Sequence, residues 1–494
     1  MKKLFISIFD YISEQQKIIL YLSIILCALI ILVSVYVNYN NGTFHYENDV
    51  YIPHFLSDKP LLMKIFNPIT ELANGKNFFR AREVGTFFNY VDTSFIFYCF
   101  RLGIPHFLSM VHYLSLIIIS LMTIFFAKKY LTKKMFVITI LLLILFLTSP
   151  APFLTGLYYR TSKILTSLGI FFMFWLITIK KHSFGKNESR YSHLTSFLLT
   201  FFIVTFTCLA DEQGLAYMIL AFIIPLVYFK FYERKNFLPL VWGFLFSFIF
   251  VYLYRKILDP FLYLIGSGTN HAQIQYAGTL SFQNFKQGFF LLSEYVQQFF
   301  GNIGMIGAFI LIGFSIFIMF HYISKKNINQ KYKLIPVSVL IIGIVYIVFL
   351  LNLMTIAHPP LLWADVKIVY YTLPPLMVIF CTSIYLIQKL IEQNPGLGSL
   401  TAFFLLLMIV SNSVLLNNNN RIFYSGHLHN KGFKIAPLII FAVYHPDIPL
   451  AQALKSSPAS PLPQELLSPV GQKIGGPTTL ILRQRIGKND NKNY

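Results

Sequence analysis

The chain has 494 residues, of which 56% are hydrophobic and only 12% charged, with a formal net charge of +21 and a mean hydropathy of +0.63. Ordinary soluble domains carry about 25% charged residues, so this composition excludes a soluble enzyme with one polar surface and places the chain in a membrane. The positive charge would point to nucleic acid only if it were clustered on a soluble face, and its distribution along the chain argues against that.

Lys2 and Lys3 open the chain, but Asp10, Glu14 and Lys17 interrupt the first apolar run. The span 18–37 then has about the ~20 residues that cross hydrocarbon, with no small-residue cleavage site, so it is expected to stay as an uncleaved first helix. Further apolar spans follow at 105–127, 135–153, 164–179, 194–210, 214–230, 237–254, 301–322, 334–356, 371–391 and 399–416. The expected fold is an all-α polytopic membrane protein of about 11 transmembrane helices, a count built on the ~20-residue rule. Residues 1–416 form the transmembrane unit, and 417–494 a small polar, Pro-rich extracytoplasmic region.

Lys and Arg accumulate in short cytoplasmic loops, which orients the series. With the N-terminus inside, the inner segments hold Lys128, Lys129, Lys133, Lys134, Lys180, Lys181, Lys186, Arg190, Lys230, Arg234, Lys235, Lys325, Lys326, Lys331 and Lys333, with few acids. The first outer loop, 38–104, is balanced instead, with six residues of each sign. Most of the positive charge is therefore an orientation signal. The C-terminus falls outside.

That loop carries the densest polar chemistry. Glu47 and Asp49, separated by Asn48, lie shortly beyond the first span; in an extended segment two carboxylates at i and i+2 point the same way, as a general base with a partner or as two metal ligands. The competing reading is a solvated loop face. Arg80 and Arg82 lie among Phe66, Ile69, Phe78, Phe79, Val84, Phe87 and Phe88, a mixture that suits interfacial helices with arginines turned to a lipid phosphate. Alternatively these arginines neutralise Glu83 and Asp92. Asp211 and Glu212 sit at a turn between two apolar runs, where acids are costly unless they face water or a cation. Arg160, Lys163, Arg255 and Lys256 stand at outer span ends, where snorkelling anchors are common. His358, Trp363, Asp365 and Lys367 bring a titratable ring, an aromatic able to stack on a sugar, a carboxylate and an amine into ten outer residues.

The four cysteines, Cys27, Cys99, Cys208 and Cys381, are far apart and read as packing residues. The phosphate-binding loop, the His-Glu-x-x-His helix and the Gly-x-Ser-x-Gly elbow are all missing, so nucleotide-driven transport, zinc proteolysis and serine hydrolysis lack their usual supports.

An inside N-terminus, one span, a long first outer loop with acids near its start, and about ten further spans resemble the GT-C superfamily of integral-membrane glycosyltransferases. The resemblance is architectural and covers most of the chain. It implies a sugar donor carried on polyprenyl phosphate, a glycan or lipid acceptor, and transfer on the extracytoplasmic face. Asp49 falls at the position of the acid that acts as base or positions the acceptor, with Glu47 next. The other candidates, Arg80, Arg82, Asp92, Arg160, Asp211, Glu212, Arg255, His358, Trp363, Asp365 and Lys367, are assigned to substrate binding. A divalent metal is left open as cofactor, and nucleic acid is not an expected partner. The Lys-, Asn- and Ile-rich composition points to a bacterial cytoplasmic membrane. Two alternatives stay open: a polysaccharide polymerase or ligase of the O-antigen type, which relies on arginines in outer loops, and a lipid or glycan transporter, which calls for ionisable groups within the spans.

Overall fold

The computed structural model describes residues 2–40, 60–66, 82–101, 108–157, 161–183, 190–229, 237–258, 261, 373–393 and 397–412. Among them the structure is almost entirely helical, and no strand occurs. Five helices are long and apolar enough to cross a membrane, at Gln16–Tyr39, Met110–Tyr130, Thr161–Lys181, His193–Ala210 and Leu238–Leu258. Shorter apolar helices lie at Gln213–Leu226, Leu373–Tyr385 and Leu397–Val410. The expected spans 301–322 and 334–356 and the region 417–494 lie outside the described residues. The count of eleven therefore stays an expectation.

In chain order the helices are α1 (Lys2–Glu14), α2 (Gln16–Asn40), α3 (Leu61–Phe66), α4 (Glu83–Arg101), α5 (Met110–Tyr130), α6 (Lys133–Thr148), α7 (Pro150–Leu154), α8 (Thr161–Ser183), α9 (Arg190–Ala210), α10 (Glu212–Tyr228), α11 (Leu238–Leu253), α12 (Leu373–Gln393) and α13 (Leu397–Asn412). Several boundaries follow from local chemistry. The Ser109 hydroxyl accepts from the His112 N–H (3.0 Å) and so caps α5. Thr132 does the same for α6, from the Met135 N–H (3.4 Å). The expected span 135–153 is broken at Ser149, which ends α6, while Pro150 starts α7 with its fixed φ at a position that needs no N–H donor. Past that break come α7 and a 3-10 turn at Thr155–Leu157, and α8 begins at Thr161, three residues before the expected span 164–179.

Helices α6 and α8 occupy the centre. In α6 both faces are buried, from Met135 through Thr148, and 83% of the apolar window of α8 is buried against 33% for α2, α9 and α11. The outer helices turn Leu22, Leu29, Phe202, Trp242, Phe246 and Ile249 outward, where hydrocarbon replaces water as the apolar solvent. Close approach between them is made by small residues: a Cβ on Gly243 of α11 would lie 2.5 Å from the Phe197 carbonyl of α9. All four cysteines are free and buried.

Successive spans, such as α5 and α6 or α8, α9 and α10, run in opposite directions, so their ends gather at two poles. At the lysine-rich pole, α1 is tied to the start of α6 by ion pairs from Lys133 to Glu14 and from Lys134 Nζ to Asp10 Oδ1 (2.7 Å). Lys181 there lies over the Phe229 ring (4.5 Å), and Tyr385 stacks on Tyr228 (4.8 Å). The other pole gathers Asn38, α4, Ser109, α7, Thr161, Asp211 and Arg255.

Candidate functional site

Helix α4 brings the first loop onto this second pole. Its buried residues, Glu83, Thr86, Asn89, Asp92, Thr93 and Ile96, recur at three- and four-residue spacing and so share one face. That face is mostly polar, whereas Phe87 and Tyr98 are exposed. This reverses the expected interfacial helix, whose polar side would have faced water: the polar stripe of α4 is spent on contacts with protein.

Those contacts are specific. Thr161, at the start of α8, donates its hydroxyl to Asn89 Oδ1 (2.7 Å) and to the Gly85 carbonyl (3.1 Å). Gly85 permits the approach, because a Cβ there would lie 2.6 Å from the Ala210 carbonyl at the end of α9. Further along, Asp92 takes the Ser109 hydroxyl and the Val111 N–H (2.9 Å), so its carboxylate faces the positive end of α5. Burial pushes the Asp92 carboxyl up to about 7, against the hydrogen bonds from Ser109, Val111 and Met110 that pull it down. Asp92 is thus fully buried and engaged with α5; neutralisation by Arg82, expected as one option, is not its role.

Arg82 reaches Asp211 instead. Asp211 is fully buried between α9 and α10, where its Oδ1 accepts the Gln213 N–H (3.0 Å) and caps α10. Its Oδ2 lies 2.7 Å from Lys163 Nζ, and Arg82 Nη2 lies 3.8 Å from Oδ1. Lys163 also donates to Gln213 Oε1 (2.8 Å). Burial alone would raise the Asp211 carboxyl; the charges of Arg82 and Lys163, with the bonds from Lys163 and Gln213, outweigh it and hold the carboxyl well below the usual range. Lys163, expected to snorkel, is a fully buried ion-pair partner. Arg255 lies in the π-helical turn Tyr254–Leu258 that follows α11, and its Nη2 donates to the Cys208 carbonyl (2.6 Å). That carbonyl belongs to the last turn of α9, where intrahelical donors run out.

A second polar hub adjoins α7. Asn38, the buried end of α2, donates to the Tyr113 hydroxyl (2.6 Å) and to the Phe153 carbonyl (2.8 Å). His112 Nε2 lies 2.8 Å from the Pro152 carbonyl. A carbonyl only accepts, so Nε2 carries the proton and Nδ1 is left as an acceptor. Sequence reasoning singled out none of Asn38, Asn89, Ser109, His112, Thr161 or Gln213. The available signal was a polar residue in the last or first turn of an apolar span, a pattern that many bland span ends share.

The structure therefore joins two of the expected site residues, Arg82 and Asp211, directly and adds Lys163 to Asp211. Asp92 and Arg255 hold neighbouring elements of the same pole. Glu212 opens α10, and its side chain lies outside the described residues, as do Glu47, Asp49, Arg80, Arg160, His358, Trp363, Asp365 and Lys367. Among the described residues, no group of three or more His, Cys, Asp and Glu comes together as metal ligands. Comparison of the chain with known protein families, with curated proteins and with solved structures found no match.

Proposed function

We propose that this chain is a membrane glycosyltransferase that moves a sugar from a polyprenyl-phosphate donor to an envelope glycan or lipid acceptor at the pole opposite the lysines. One observation supports it most. The segment 41–81, which carries Glu47, Asp49 and Arg80, leaves the bundle at the Asn38 hub and rejoins it at the α4 seat, and both lie at one pole. The two described residues that flank this segment, Asn40 and Arg82, thus belong to elements that meet at the pole of the Arg82–Asp211–Lys163 cluster. The Lys128, Lys129, Lys133, Lys134, Lys180 and Lys181 end is the cytoplasmic one by the positive-inside rule. In this reading the N-terminus is cytoplasmic, the candidate site lies outside, and the membrane is the bacterial cytoplasmic one.

In this reading Asp49 deprotonates or orients an acceptor hydroxyl, with Glu47 beside it, and cations of the outer pole stabilise the departing phosphate in a water-poor setting. Incubation of the purified protein with a panel of polyprenyl-phosphate sugars tests it: one donor is consumed, and Asp49→Asn and Glu47→Gln abolish consumption while the protein stays in the membrane. Normal transfer by both variants refutes it.

Arg82, partly buried at this pole, favours a second reading, the O-antigen type of polymerase or ligase; activity that depends on Arg82 and ignores Asp49 would select it. The transporter reading gains one point from Lys163, which lies within span α8, but that charge is already neutralised by Asp211 at the span's end.

A further inference from the structure

The lysine-rich pole carries an inference that is independent of the transferase reading. Helices α1 and α2 are separated by Gln15 alone, yet hydrogen bonds cross the break: the Gln15 N–H bonds to the Ile12 carbonyl (3.0 Å) and the Ile19 N–H to the Gln15 carbonyl (3.0 Å). Burial keeps its phase across it. The buried residues Phe9, Ser13, Leu20, Ser23, Cys27 and Ile30 follow one another at intervals of three, four or seven, and so do the exposed Tyr11, Ile18, Leu22, Ile25, Leu29 and Leu32. One side of the α1–α2 pair therefore faces protein throughout, and one side faces away. From Ile18 onward that outward side meets hydrocarbon. Tyr11, 69% exposed, continues it beyond the start of the span, with Ile12, 41% exposed, beside it.

The starts of other helices hold α1 at this level. Asp10 and Glu14 pair with Lys134 and Lys133 where α6 begins. Phe9 packs where α13 begins, since a Cβ on Gly398 would lie 3.5 Å from its ring. Both acids are thereby matched by lysines and oppose no anionic head group. Lys17 and Tyr21, in the first turns of α2, are exposed as well; tyrosine rings and lysines on apolar stems suit the boundary between hydrocarbon and water. The depth agrees. Tyr11 precedes Ile18 by seven residues, about 10 Å at roughly 1.5 Å per residue, and the head-group layer reaches about 5–8 Å beyond the hydrocarbon on each side. A straight course puts Tyr11 at the outer edge of that layer, and any bend at Gln15 draws it in.

We propose that α1 is an interfacial helix of the leaflet at the lysine-rich pole, its outward edge of Tyr11 and Ile12 lying in the phospholipid head-group layer. The occupant of this edge is the lipid surface, because the outward side of α2, with which the edge is continuous, already faces lipid.

The test measures depth. Nitroxide labels are placed on Tyr11→Cys, on Ile12→Cys and, as a hydrocarbon reference, on Ile25→Cys of the full-length protein in phospholipid vesicles. The four native cysteines are buried, and labelling of wild type sets their background. Collision of the label with oxygen, which concentrates in hydrocarbon, is compared with collision with a water-soluble nickel chelate. The oxygen-to-nickel ratio at positions 11 and 12 falls between the ratio at position 25 and that of the same label free in water. A ratio equal to the free label's means an edge bathed in water, a ratio equal to that at position 25 means one sunk in hydrocarbon, and loss of both collisions means one covered by a protein partner or a second copy. Each of these three results overturns the proposal. Tyr11→Trp keeps an amphipathic ring and needs no label: its added fluorescence is quenched more by lipids brominated near the head group than by lipids brominated near the chain end, and the reverse order, or no quenching by either, also overturns it.

Discussion

Replacing Asp211 by Asn tests the buried ion pair directly. Asn is as good an N-cap as Asp, so its side-chain oxygen still receives the Gln213 N–H and α10 keeps its start. What disappears is the charge 2.7 Å from Lys163 Nζ, a group with no exposure of its own. Removing one partner of such a pair costs about 3–5 kcal/mol, because the other charge stays buried and uncompensated. Lys163→Met alone has a similar effect for the converse reason. The double variant should recover most of the loss, since replacing both charges at once is often near neutral, giving a coupling energy of at least about 2 kcal/mol. Unfolding of the four proteins in one detergent, by denaturant or by heat, supplies the cycle. Single-variant losses that simply add in the double variant, or losses below about 0.5 kcal/mol, would refute the described pairing. The pH dependence has a definite sign. Asp211 is held below its ordinary pKa, so its contribution is full above about pH 4 and fades only in stronger acid; the asparagine variant should not show that acid loss.

Asp92 should show the opposite sign: its folded-state pKa is raised to about 7, so wild-type stability falls as pH rises from about 4 towards that value, by at most about 1.4 kcal/mol per pH unit. Asp92→Asn should flatten the profile, and an unchanged slope would show that Asp92 does not titrate there. Gly85→Ala should be destabilising by about 1–3 kcal/mol despite a helix-propensity gain of about 1 kcal/mol. The added Cβ meets the Ala210 carbonyl at 2.6 Å, which is backbone and cannot rotate aside; thermal unfolding that matched wild type would show that α4 does not seat as described. At the opposite pole, Glu14→Gln removes an ion pair with Lys133 whose two side chains are more than half exposed, so the change in stability should stay under about 1 kcal/mol and shrink further at high salt.

What the sequence could and could not disclose follows from the kind of force that placed each residue. Spans such as α2, α8 and α9 are legible because hydrocarbon asks one thing of every residue it touches, and a run of apolar side chains answers locally. The break at Ser149–Pro150 was available too, through the proline, but the apolar run carries on past it and masks the stop. Helix α4 was not legible in its packing. Its sequence alternates Phe with Glu, Asn, Thr and Asp, and an interfacial helix would show the same composition with its polar side facing water. Only the partners decide which side is wet, and Ser109 and Thr161 lie 17 to 76 positions further along the chain than the residues they bond. Lys163 shows the same limit from the other direction. A lysine at the outer end of a span reads as a snorkelling anchor until an acid is known to stand at the end of the next helix. Two adjacent spans that run in opposite directions bring the start of one beside the end of the other, so Lys163 and Asp211 meet because α9 runs back along α8. Polar residues paired across such a crossing should accordingly be sought by span position, first turn against last turn, rather than by sequence motif.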